Sequence, residues 1–121
     1  MINLFRILVF LFIVSCNNNN ELALERGNQY YEWKQYDKAI LEYKQIIHNI
    51  ENNNNLSPNN IKILSQAYYN LGLAYSQNDW FEYAIKEIKR SFDLYPSENK
   101  KKVLSRLEEL LIKSKKEIIN P

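Results

Sequence analysis

Apolar and small positions recur at helical spacing in two stretches of the chain, and the two stretches match each other. The segments 25–30 (ERGNQY) and 70–75 (NLGLAY) each place a glycine three residues before a tyrosine: Gly27 before Tyr30, Gly72 before Tyr75. Six residues on come Tyr36 and Phe81, then Ala39-Ile40 and Ala84-Ile85, then Tyr43 and Ile88 four after each alanine. This register predicts helices at about 21–33, 37–51, 62–77 and 81–94, joined as two hairpins. A glycine inside a helix costs about 1 kcal/mol relative to alanine. Gly27 and Gly72 therefore read as points where a second helix approaches closely, with Ala39 and Ala84 as the small residues facing them. Between the hairpins, polar residues displace almost every apolar one, and a loop is expected at 52–61.

Beyond Pro96 the pattern resumes. Ser97 suits an N-cap, with Glu98 in the favourable first turn. Val103, Leu104, Leu107, Leu110, Leu111, Ser114 and Ile118 form one stripe, opposite a face of mostly Lys and Glu. A fifth helix over 97–119 that covers the last hairpin and shows water its charged side fits this pattern. The expected fold is all-α: two helical hairpins plus a C-terminal capping helix, a short α-solenoid. Repeat arrays usually need about three units for a continuous core. Two units and a cap therefore imply marginal stability, or self-association or a bound partner that supplies the missing surface.

The start of the chain is different in kind. One positive side chain, Arg6, precedes the unbroken apolar run Ile7 to Val14, which ends at Ser15 and Cys16. That run is far shorter than the roughly 20 residues a spanning helix needs, and the arrangement fits a secretory signal peptide over 1–15. Ile13-Val14-Ser15-Cys16 resembles a bacterial lipobox, with Ile13 where leucine is more usual. The resemblance implies cleavage before Cys16, acylation of its thiol with palmitate-type chains, and firm attachment of the protein to the cell envelope through that lipid. The Asn-rich segment 16–20 then reads as a tether.

The repeated pattern resembles the tetratricopeptide repeat, a helix–turn–helix unit. The second copy carries Tyr68, Leu71, Gly72, Ala74, Tyr75, Phe81, Ala84 and the closing Pro96. The first carries Gly27, Tyr30, Tyr36, Ala39 and Tyr43, and departs from the family at Arg26 and Lys34, where leucine and glycine are usual. The likeness spans 21–96, as copies at 21–51 and 62–96. It implies that the first helix of each unit lines a concave groove, which places Leu24, Asn28, Tyr31, Tyr69, Asn70, Leu73 and Gln77 on a surface for a peptide or protein segment. Some family members grip terminal carboxylates with two asparagines and a set of cations. Asn28 and Asn70 match the asparagines, and Lys102 and Arg106 on the last helix could contribute cations, although Leu24 stands where the first lysine belongs.

Composition narrows the chemistry further. In 121 residues there are 16 basic and 14 acidic side chains, a net charge of +2 that gives no argument for a nucleic-acid partner. Residues 16–96 are slightly acidic and 97–121 slightly basic. Two glycines and three prolines supply few turns for a many-stranded fold. With one cysteine and one histidine, His48, neither a disulfide framework nor a multi-cysteine metal site is expected, and no glycine-rich phosphate loop occurs. No cofactor and no enzymatic activity are expected. The functional expectation is a lipid-anchored interaction module serving a cell-envelope complex, on the periplasmic face or the outer-membrane surface. The alternative is a surface-displayed lipoprotein that contacts host molecules.

Overall fold

A computed structural model describes residues 19–54 and 56–121. Among these the chain forms α1 (Asn19–Glu32), α2 (Tyr36–Asn52), α3 (Pro58–Gln77), α4 (Phe81–Leu94) and α5 (Glu98–Ile119), and no strand. Each helix packs on the next, and α1 also reaches α3. The protein is thus all-helical, two stacked hairpins with α5 laid against α4 in the manner of a short solenoid. Among the described residues, no helix is long and apolar enough to cross a membrane. The signal-peptide segment, Cys16 and the first part of the tether lie outside the described residues.

Both hairpins turn by the same device. Gln35 N–H donates to the Tyr30 carbonyl and Lys34 N–H to the Tyr31 carbonyl, each at 2.9 Å. In the second hairpin Trp80 N–H donates to Tyr75 at 3.0 Å and Asp79 N–H to Ser76 at 3.1 Å. This six-to-one and five-to-two pairing satisfies carbonyls left open at a helix C-terminus, and it needs a left-handed residue just past the helix. Lys34 (φ 58°) and Asp79 (φ 59°) fill that position. The lysine departs from the repeat pattern at the one turn position where backbone geometry favours glycine.

Two boundaries differ from the sequence expectation. Asn19 and Asn20, expected in the tether, belong to α1. Helix α3 begins at Pro58, so the expected loop is shortened from its far side. Ser57 caps α3, its Oγ accepting from Asn60 N–H at 3.2 Å. Pro58 occupies the first turn, where its missing N–H costs nothing.

The core runs through both hairpins, with Tyr43, Ile46, Ile50 and Ile88 almost fully enclosed. Both glycines sit at tight seams. A Cβ on Gly27 would lie 2.6 Å from Cε1 of the Tyr43 ring. One on Gly72 would lie 2.5 Å from Ile88 Cγ1 and 2.9 Å from the Ala84 carbonyl oxygen. The glycines thus meet the bulky residue one turn past each alanine. Ala39 and Ala84 are themselves completely buried, and Ala84 enters the seam through its backbone. At Arg26, the other departure from the repeat pattern, the guanidinium makes two bonds to Glu42, at 3.1 and 3.3 Å, tying α1 to α2.

Helix α5 is anchored at its start and frees itself toward its end. Ser97 Oγ accepts from Lys100 N–H at 3.2 Å as the N-cap. Leu107 is buried and Val103, Leu104 and Leu111 pack partly against the core. Ile118, expected in the same stripe, is 78% exposed. The cause is length. Helix α4 has 14 residues against 22 in α5, and Lys115 already pairs with Glu82 in the first turn of α4 at 2.8 Å. Beyond that point α5 has no α4 surface to pack on.

Candidate partner groove

The contact of α1 with α3 sets the first helices of the two hairpins side by side. Between them lies an open pocket of about 250 Å³, lined by Asn28, Tyr31, Glu32, Tyr43, Asn70 and Leu73. Four of the seven groove residues expected from sequence meet there: Asn28, Tyr31, Asn70 and Leu73. On α1 the spacing is helical, so Asn28, Tyr31 and Glu32 fall on adjacent turns of one face.

Hydrogen bonds fix the polar groups of this pocket. Asn28 Oδ1 accepts from the Tyr43 hydroxyl and from Asn70 Nδ2, both at 2.8 Å. With its oxygen doubly engaged, Asn28 retains its amide N–H groups for a ligand, while the Asn70 side-chain oxygen remains an acceptor. The two side chains together offer a donor and an acceptor, the complement of a peptide group. Tyr31 stands at the rim, its ring edge-on to Tyr36 with centroids 5.3 Å apart, and its hydroxyl accepts from Gln77 Nε2 at 3.2 Å. Burial pushes the Tyr31 and Tyr43 hydroxyls above their ordinary pKa, so both remain neutral donors or acceptors at physiological pH.

The remaining expected residues are placed differently. Leu24 is buried in the core and offers no groove surface. Tyr69 is partly buried, with its hydroxyl accepting from Asn99 of α5 at 3.0 Å, and Gln77 serves to hold Tyr31. Lys102 and Arg106 are exposed and line none of this pocket, and Arg106 pairs with Glu109 one turn away at 3.2 Å.

The lysine of α5 that turns inward is Lys100. Its Nζ donates to Ser65 Oγ at 2.9 Å and to the Ser91 and Tyr95 carbonyls at 3.3 and 2.5 Å. Burial lowers its pKa. Ser91 Oγ in turn donates to the Ser65 carbonyl at 2.6 Å. These residues clasp α3, α4 and the start of α5. A lysine beside a serine hydroxyl has the makings of a nucleophile, yet Ser65 is only 2% exposed, so the geometry serves packing.

Sequence reasoning left out Glu32 and Tyr43 as groove residues. Glu32 was within reach of it, four residues after Asn28 on the same face. Tyr43 is on α2 and enters the floor of the pocket only through the way the hairpin closes. Among the described residues no cluster of His, Cys, Asp and Glu has the makings of a metal site. No protein-family model matches this chain, and no curated protein matches it at a significant level.

Proposed function

We propose that this protein is a tetratricopeptide-like interaction module, anchored to the cell envelope through an acylated Cys16, that holds a segment of another protein between α1 and α3 and carries out no catalysis of its own. The observation that supports the reading most is the pocket between the first helices of the two hairpins. Its amides are held in fixed orientation, Asn28 by Tyr43 and Asn70, so recognition of a peptide backbone requires little further ordering of the site. The partly buried Tyr31 and Leu73 add apolar contact beside those polar groups, which is the mixture that peptide grooves use. Membrane attachment rests on the sequence around Cys16.

Two experiments test the reading. A photo-crosslinking residue placed at Tyr31 in native cells is expected to capture a discrete partner, while the same residue at the exposed Lys86 on α4 does not. Adducts from Lys86 alone would place the interaction elsewhere. The Cys16→Ser variant is expected to move from the membrane fraction to the soluble one, and retention at the membrane would refute the lipid anchor.

A further inference from the structure

We infer that the groove selects a partner segment carrying a lysine or arginine side chain, which enters the pocket beside Glu32. This rests on the groove reading above and deepens it. The pocket lining contains one carboxylate, Glu32, and no cation. Among the described residues Glu32 makes no ion pair: Lys34, two residues on in the turn after α1, is not bridged to it, and Arg26 on α1 is committed to Glu42. The charge also sits where the fold does not welcome it. Glu32 is the last residue of α1, and no basic residue stands in that turn. A negative side chain at a helix C-terminus faces the negative end of the helix dipole.

A cationic guest would relieve both problems. Its charge would neutralise the carboxylate and oppose the negative end of the α1 dipole together. The methylene stem of a lysine or arginine has the Tyr31 ring and Leu73 to pack on, and the ring faces add attraction for the cation. The Asn28 and Asn70 amides stay available for the flanking peptide group. An acidic guest has no complement here: Lys102 and Arg106 line none of the pocket, and Lys100 is turned into the α3–α4 seam. Charge thus sets the preference opposite to that of a carboxylate grip.

The test uses the full-length chain in detergent and four fluorescent nonapeptides of alanine, serine and leucine, identical except for lysine, arginine, glutamine or glutamate at the centre, read by anisotropy. The lysine and arginine peptides are expected to bind about two- to fivefold more tightly than the glutamine peptide, with glutamate weakest, the order of one charge pair at a solvent-exposed carboxylate. Added salt should narrow the difference. Glu32→Gln should erase the preference, and Glu32→Lys should invert it toward glutamate. Equal affinity for lysine and glutamine peptides, with Asn28→Ala weakening both, would overturn the charge selection and leave the groove standing. A lysine preference that survives Glu32→Gln would also overturn it, and failure of all four peptides to bind would overturn the groove as well.

Discussion

Replacing Gly72 with alanine isolates the packing on which the second hairpin depends. The new methyl would lie 2.5 Å from Ile88 Cγ1 and 2.9 Å from the Ala84 carbonyl oxygen. Carbon atoms in good contact stand about 3.5–4.0 Å apart, so the deficit approaches an ångström. Ile88 has no exposed surface to retreat into, and the second obstacle is backbone, so α3 and α4 must part. Overpacking of this kind costs about 1–3 kcal/mol, and the backbone contact argues for the upper half of that range. Alanine returns about 1 kcal/mol through its helix propensity. The net expectation is a loss of about 1–2 kcal/mol, seen in urea unfolding followed by circular dichroism. In a domain of this size that corresponds to a fall in Tm of roughly 5–15 °C. Gly27→Ala would press on the Tyr43 ring, which is only 1% exposed and tied to Asn28, so its loss should be of similar size. Adding Ile88→Ala to Gly72→Ala should recover part of the cost, giving a favourable coupling of about 1 kcal/mol in the double-mutant cycle. A Gly72→Ala protein as stable as the parent, or more so, would refute the close approach of these helices.

Three further outcomes follow from particular contacts. Lys34→Gly should raise stability by about 0.5–1 kcal/mol in the same urea assay, because the left-handed conformation that strains lysine suits glycine. Ser91→Ala should cost about 1–2 kcal/mol, since the 2.6 Å bond to the Ser65 carbonyl is lost inside a sealed seam, with unfolding midpoints as the measure. At alkaline pH the tyrosines govern stability. Burial raises Tyr43, and burial with the Glu51 hydrogen bond raises Tyr68, so the folded state keeps protons that the unfolded chain releases near pH 10. Their stabilisation is complete below pH 10 and is lost above it, by up to about 1.4 kcal/mol per pH unit for each tyrosine. Tyr43→Phe should flatten that slope by one proton in unfolding curves taken from pH 9 to 11.

Much of the architecture could be read from the residues alone, because it depends on local periodicity. The positions of Gly27 and Gly72, each followed by tyrosine, alanine and a bulky residue at matching intervals, are enough to call for two hairpins. Ser97 before an amphipathic stripe is enough for the last helix. These features work within a turn or two of chain, where spacing decides which face a side chain occupies. The groove was legible to the extent that it lies on one helix face, as Asn28, Tyr31, Asn70 and Leu73 do.

What required the tertiary structure depends on distances between helices, which no spacing encodes. Leu24 shares its face with Asn28 yet disappears into the core. Ile118 continues the α5 stripe yet projects past the end of α4, whose shorter length decides where burial stops. The sequence alone offered Ala39 and Ala84 as partners for the glycines; Ala84 does meet Gly72 through its backbone oxygen, but the nearest atoms that the helix crossing brings against the glycines belong to Tyr43 and Ile88. The same crossing carries Tyr43 under Asn28 and leaves Glu32 in the pocket without a counter-charge, so the electrostatic character of the groove was decided by packing between helices and not by the order of residues along any one of them.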